Sequence, residues 1–198
     1  MKVAVDALMP RIAPGVSFAS HDLGSKSQFM KKAPGRLRGY AYELGANQSL
    51  AVLLLRDRDQ EDCRQITESL KQQSTAGGLT VASVALGVPG NVVVRLADEM
   101  LEAWFFGDGQ ALNRAYPRVP AALTTQRAYR HPDAIRDPAR RLEGELQRRG
   151  YHQGGLSKTA LASAVAPLLD VEANTSVSFV HFRDAVRFLS PQPLAHED

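Results

Sequence analysis

The chain has 198 residues, 44% of them hydrophobic and 23% charged. That balance supports one packed core and excludes disordered, fibrous and collagen-like classes. The formal charge of +3 is too mild to name a partner by itself. The longest aliphatic run, residues 50–55, is far short of the ~20 residues of a bilayer-crossing helix. Asp6 and Pro10 interrupt the start of the chain as a secretion signal. The single cysteine, Cys63, permits no internal disulfide, so a reducing cytoplasm is the expected location.

In chain order, Val5, Leu8 and Ile12 recur at helical spacing, and Pro10 is expected to end or bend that helix. Residues 15–20 alternate polar and apolar side chains and predict a strand. A basic helix is expected over 26–42, broken near Pro34 and Gly35. Residues 50–55 are apolar without alternation, as in a strand buried on both faces of a parallel sheet. Asp59 is the expected cap of a helix running to Gln73, with Cys63, Ile66 and Leu70 on its buried face. Residues 80–86 and 91–96 predict two further strands, joined by a turn at 87–90.

From residue 98 the pattern becomes helical. A helix is expected over 98–106, followed by a short one ending near Tyr116. An irregular, arginine-bearing connection covers 117–132. Asp137-Pro138 is a helix start, because proline at the first helical position loses no bond. Ser157 opens another helix carrying Leu161, Val165 and Leu168. Ser176 or Ser178 opens the last, with Phe179, Phe182, Val186 and Leu189 aligned. The organisation predicted is an α/β core over 1–108 and a helical extension over 109–198, packed as one unit.

Charge is unevenly placed. Residues 26–38 carry five cations and no acid, and residues 111–150 carry nine arginines against Asp133, Asp137, Glu143 and Glu145. Acids gather in two knots: Asp57, Asp59, Glu61 and Asp62, then Asp98, Glu99, Glu102 and Asp108. Asp57 and Asp59 follow the buried strand at a spacing of i, i+2, which in an extended backbone sets both on one side. The carboxyl end of a parallel strand faces the crevice where α/β sheets bind ligands, and Mg²⁺ favours carboxylate oxygens presented there. The simpler alternative makes Asp59 a helix cap and Asp57 a solvated, arginine-neutralised acid. On a helix, Asp98 and Glu102, and Glu99 and Glu102, are like-charged neighbours costing roughly 0.2–0.5 kcal/mol per pair. A bound cation compensates all three. Lys158, next to Ser157, is a candidate phosphate contact, although its position alone favours an exposed helix-start lysine. Trp104, Phe105 and Phe106 are expected to pack their helix onto the sheet, and Cys63 to be buried and inert. The five histidines show no metal-ligand spacing.

The runs VLLLRDRDQEDC, VVVRLADEMLEAWFFGD, HPDAIRDPARRLEGEL and NTSVSFVHFRDAVRFL resemble an uncharacterised bacterial family with a Toprim-like fold. That fold is shared by the nuclease domains of overcoming-lysogenization-defect proteins, primases and topoisomerases. The resemblance implies a Rossmann-like, mainly parallel sheet flanked by helices. It implies Asp57 and Asp59 as Asp-x-Asp metal ligands for Mg²⁺ or Mn²⁺, with Glu99 and Glu102 as the downstream acids. Toprim domains begin with a strand ending in a catalytic glutamate. Here Met1 falls in what resembles the following helix, and no glutamate precedes Glu43. The expectation is therefore either a lost first strand or a sequence that begins at an internal methionine, and in both cases an inner position of the sheet needs a partner strand or rearrangement. No catalytic glutamate is assigned to Asp6, Asp22 or Glu43.

Three classes follow. The first is a metal-dependent phosphodiester-cleaving protein, in the setting of phage defence. Its catalytic set is Asp57, Asp59, Glu99 and Lys158, its metal set is Asp57, Asp59, Glu99 and Glu102, and nucleic acid is met by segments 26–38 and 111–150. The second is a catalytically incomplete module that binds metal, nucleic acid or a protein partner, with a second copy or partner chain completing the sheet. The third, a haloacid-dehalogenase-type phosphatase, expects threonine and a small apolar residue where Gln60 and Glu61 stand.

Overall fold

The computed structural model describes residues 1–46 and 50–190, so the end of the expected 109–198 extension lies outside the described residues. It is an α/β fold built on a two-stranded parallel sheet flanked by helices. The elements are α1 (Lys2–Ile12), α2 (Lys26–Ala46), β1 (Val52–Asp57), α3 (Cys63–Ala76), β2 (Val92–Ala97), α4 (Glu102–Phe106), α5 (Gly109–Ala115), α6 (Pro138–Arg148), α7 (Lys158–Val165) and α8 (Val177–Leu189). Three short 3₁₀ turns complete the irregular parts, two of them within 121–134.

β1 and β2 pair in register from Val52 with Val92 to Asp57 with Ala97. Parallel strands need a covered crossover, which α3 supplies. Val52, Leu54, Val92 and Val94 pack with Ile66 and Leu70 of α3 and with Ala33 and Leu37 of α2. On the opposite face Val93 meets Ala185 of α8. Together α2 and α3, the sheet, and α8 form three layers.

The larger core belongs to the helices. Leu8 and Ile12 of α1, the α4 aromatics, Leu142 and Leu146 of α6, Leu161 of α7, and Phe179 and Phe182 of α8 form one buried cluster. Trp104, Phe105 and Phe106 are fully buried. Trp104 stacks on Phe182 with ring centroids 4.9 Å apart and meets Phe179 edge-on at 5.4 Å. Its indole Nε1 donates to Ser178 Oγ at 2.9 Å. Trp104 thus packs against α8, while Phe106 stacks on Tyr129 with ring centroids 5.0 Å apart.

Caps set the boundaries in this half. Asp137, Ser157 and Ser176 each accept an amide of the first turn that follows, from Arg140, Ala160 and Phe179. Each satisfies an amide that would otherwise lack a partner.

Several sequence expectations give way to tertiary packing. Neither proline breaks its helix: α1 continues to Ile12, and α2 runs through Pro34. Ala33 and Leu37, on either side of that proline, are fully buried and hold both halves to the core. The cap of α3 is Asp62, which accepts the amides of Arg64 and Gln65, not Asp59. Cys63 therefore stands in the first turn and is exposed rather than buried. Residues 80–86 form no strand. Val81 and Ser83 make single bridges, to Val92 and Val88, and Leu86 is 79% exposed. Residues 15–20 likewise join no sheet. The acidic helix begins at Glu102, not residue 98, so the like-charge helical pairs read from the sequence do not form.

Candidate functional site

The two acidic knots meet where β1 and β2 end. Each strand runs into a loop, and four links tie the loops together. Arg58 N donates to Ala97 O at 2.9 Å, and Asp59 N to Glu99 O at 2.7 Å. Leu101 N donates to Asp57 Oδ1 at 2.8 Å, and Arg58 Nε pairs with Asp98 Oδ1 at 2.5 Å. Asp59 reaches its position with φ of 53°, a left-handed conformation that aspartate tolerates better than most residues. The loop crossing thus depends on Asp59 backbone geometry.

Four acids proposed from sequence are divided by this arrangement. Asp57 and Glu102 come together. Glu102 is 4% exposed, and its Oε1 lies 3.5 Å from Lys158 Nζ, across 56 residues of chain. Lys158 is an exposed helix-start lysine, as its position suggested, and it also reaches the acid pair. Asp59 lines the same cavity as Asp57. Glu99 is occupied elsewhere: its Oε2 accepts the Asp137 amide at 3.0 Å, joining the β2–α4 loop to the start of α6. Asp98 is neutralised by Arg58. Glu61 is paired with Arg56 and with Lys26, the latter at 2.7 Å.

Burial pushes the Asp57 carboxyl up to about 6, reinforced by the Glu102 charge. The Leu101 N–H, the Lys158 ammonium and the chain's α-amino group oppose that rise. An acid raised in this way by burial and a like charge is a common signature of a working site. Asp98 is also raised, first by burial, against the pull of Arg58.

Among the described residues, no three aspartate, glutamate, histidine or cysteine side chains stand close enough to hold a metal ion alone. Asp57 and Glu102 offer the donor type that Mg²⁺ takes, since that ion commonly uses one or two carboxylates and completes its octahedron with water and phosphate oxygens.

The arginines of 111–150 are engaged unequally. Arg148 and Arg149 are engaged by Glu145, and Arg118 lies over the Tyr151 ring at 4.2 Å. Arg136 and Arg140 flank Asp137, which touches Glu99, and both are exposed. Sequence reasoning identified the Asp137 helix start but not its place beside the acids. It also missed the Leu101 amide that orients Asp57. Neither has a local signal, because both contacts arise from how the two loops cross.

Fold and site define an α/β protein with a part-buried acid pair and a lysine at the carboxyl end of a parallel sheet. The chain belongs to a family described as a domain of unknown function (DUF4276), whose model matches residues 1–189. No curated protein and no solved structure matches it. No helix of the described residues is long and apolar enough to cross a membrane.

Proposed function

We propose that the chain is a Toprim-like, Mg²⁺- or Mn²⁺-dependent protein that cleaves phosphodiesters in nucleic acid, with phage defence as the setting its resemblance suggests. The observation that carries this reading is the meeting of Asp57, at about 6, with buried Glu102 and Lys158 at the sheet's carboxyl end. Asp57 and Glu102 would hold the ion, which when bound polarises a phosphoryl oxygen and lowers the pKa of a coordinated water. Lys158 offsets charge on the phosphate as it develops. The Leu101 amide fixes which Asp57 oxygen faces the site. Arg136 and Arg140, with the exposed Arg127, Arg130 and Arg141 nearby in sequence, supply a path for the phosphate backbone.

The test is cleavage of DNA and RNA by purified protein with Mn²⁺ or Mg²⁺, compared with Asp57→Ala and Glu102→Gln. Metal-dependent nicking lost in both variants supports the reading. Cleavage that survives Asp57→Ala, or that persists in chelator, overturns it.

The second reading, a catalytically incomplete module, is favoured by one specific feature. Glu99 is held by the Asp137 amide, so the four-acid, two-ion arrangement expected from sequence is not assembled. Ion binding and nucleic-acid binding without turnover would be its signature.

A further inference from the structure

Left-handed backbone outside glycine occurs at three places among the described residues: Asp59, Asp137 and His152. The first two belong to separate segments, the β1–α3 loop and the start of α6, yet one residue holds both. The Glu99 carbonyl accepts the Asp59 amide at 2.7 Å. Its side chain accepts the Asp137 amide at 3.0 Å through Oε2. Asp59 and Asp137 sit at φ of 53° and 50°. Backbone of this kind persists where its surroundings over-determine it, and it gathers at working sites.

The Asp137 end carries a second feature. Asp137 Oδ1 accepts the Arg140 amide at 3.2 Å, so the residue is fixed at its amide by Glu99 and at its carboxylate by α6. Arg136 precedes it, Arg140 follows one turn later, and both residues are exposed. Neither arginine enters an ion pair among the described residues. A guanidinium would be the stronger partner for a carboxylate at such a helix start. Glu99 takes a backbone amide instead, which leaves both guanidinium groups for another anion. Through Glu99, the arginine-bearing start of α6 is fastened to the loop that follows Asp57.

We propose that Glu99 is a positioning residue. It holds the start of α6 against the β1–α3 loop so that Arg136 and Arg140 meet the phosphate backbone of a nucleic acid engaged at Asp57 and Glu102, and it does not ligate the ion itself. This role rests on the cleavage reading for its two ligands, a divalent cation and nucleic acid, but it does not require turnover.

The sign of the effect separates positioning from charge. Removing a negative charge near two arginines should, by Coulomb attraction alone, tighten the binding of a polyanion. Losing the positioning should weaken it. Glutamine divides the two effects, because its amide oxygen still accepts the Asp137 amide while the charge is gone. Aspartate keeps the charge, but its shorter stem draws the oxygens back from that amide.

The experiment measures two affinities of the full chain: for Mn²⁺ alone, by water-proton relaxation, and for a short fluorescein-labelled DNA duplex, by anisotropy at one fixed salt concentration. The variants are Glu99→Ala, Glu99→Asp and Glu99→Gln, alone and together with Arg136→Ala and Arg140→Ala. Where Glu99→Ala fails to fold, Glu99→Asp carries the comparison. The expected result is DNA binding weaker by about fivefold to tenfold in Ala and Asp, and no weaker than wild type in Gln. Mn²⁺ affinity should stay within about twofold throughout. Without the two arginines, Glu99→Asp should cost no further DNA affinity, because the residues being positioned are gone. A fall in Mn²⁺ affinity of about tenfold in Glu99→Gln makes Glu99 a ligand and overturns the proposal. So does DNA affinity that is unchanged or higher in both Ala and Asp, an equal loss in Gln, or a wild type that binds no DNA. The expected affinities without cleavage by any protein would sink the cleavage reading and leave the positioning role standing. Metal-dependent cleavage with DNA affinity indifferent to Glu99 would do the reverse.

Discussion

The helical half and the sheet half of this molecule solve the packing problem to different degrees. Around α4, α6, α7 and α8, large aromatic side chains are fully buried, the Trp104 indole has a partner, and Asp133 collects the Ser176 and Ser178 hydroxyls and the Val177 amide at the start of α8. Around β1, no strand among the described residues pairs with the edge away from β2, an apolar cavity follows that edge, and a carboxyl is raised by its own burial. Stability is thus concentrated in the helical half, while the sheet half retains unpaired groups and a charge held at a cost. Sites that bind or react are drawn from the less satisfied parts of a fold.

The largest expected contrast is in the core. Trp104→Ala removes a fully buried ring packed on Phe179 and Phe182 and should destabilise by about 3–5 kcal/mol, read from chemical denaturation. A much smaller loss would mean that the helical half is not the main source of stability.

Asp57→Asn should act in the opposite direction. The folded carboxyl titrates at about 6 against an ordinary 3.8. An acid whose pKa is raised on folding contributes its relative stability below the unfolded value and loses it as pH rises through the folded value. Wild type should therefore lose stability from about pH 4 to pH 7 through this group. Asparagine, which can still accept the Leu101 amide, should be more stable at pH 8 by up to about 3 kcal/mol. The gain should vanish near pH 4 and be accompanied by loss of any metal-dependent cleavage. Urea melts at the two pH values decide it.

Asp108→Ala should cost about 1–2 kcal/mol, since this side chain caps Ala111 at 2.9 Å and also accepts the Asp170 amide at 2.7 Å. The smallest effect should be Leu86→Ser, within about ±0.5 kcal/mol at so exposed a position.

What could be read from the sequence divides along the same line. Asp137-Pro138, Ser157 and Ser176 announce their helices because a cap is a local device, satisfied within three residues. The apolar run of β1 was equally legible. Residues 15–20 and 80–86 carry strand patterns without strand partners, since alternation specifies a face and not a neighbour. Asp59 looked like a cap, but a left-handed turn there moves that role to Asp62.

The meeting of the two acidic knots was inferable from Asp-x-Asp at a strand end and acids after the next strand. Their unequal fates were not. Glu99 is diverted by an amide 38 residues away, and Glu102 is approached by a lysine from a helix whose docking no local signal encodes.

The central claim is that Asp57 and Glu102 share one partly buried site able to take up a divalent cation. It is tested most directly by following the Asp57 side-chain carboxyl by ¹³C NMR across pH, with and without Mg²⁺, in wild type and Glu102→Gln. A titration near 6 that falls when Mg²⁺ is added, and that is lower in Glu102→Gln without metal, is the predicted result. A titration near 3.8, unmoved by either Mg²⁺ or the substitution, would contradict it.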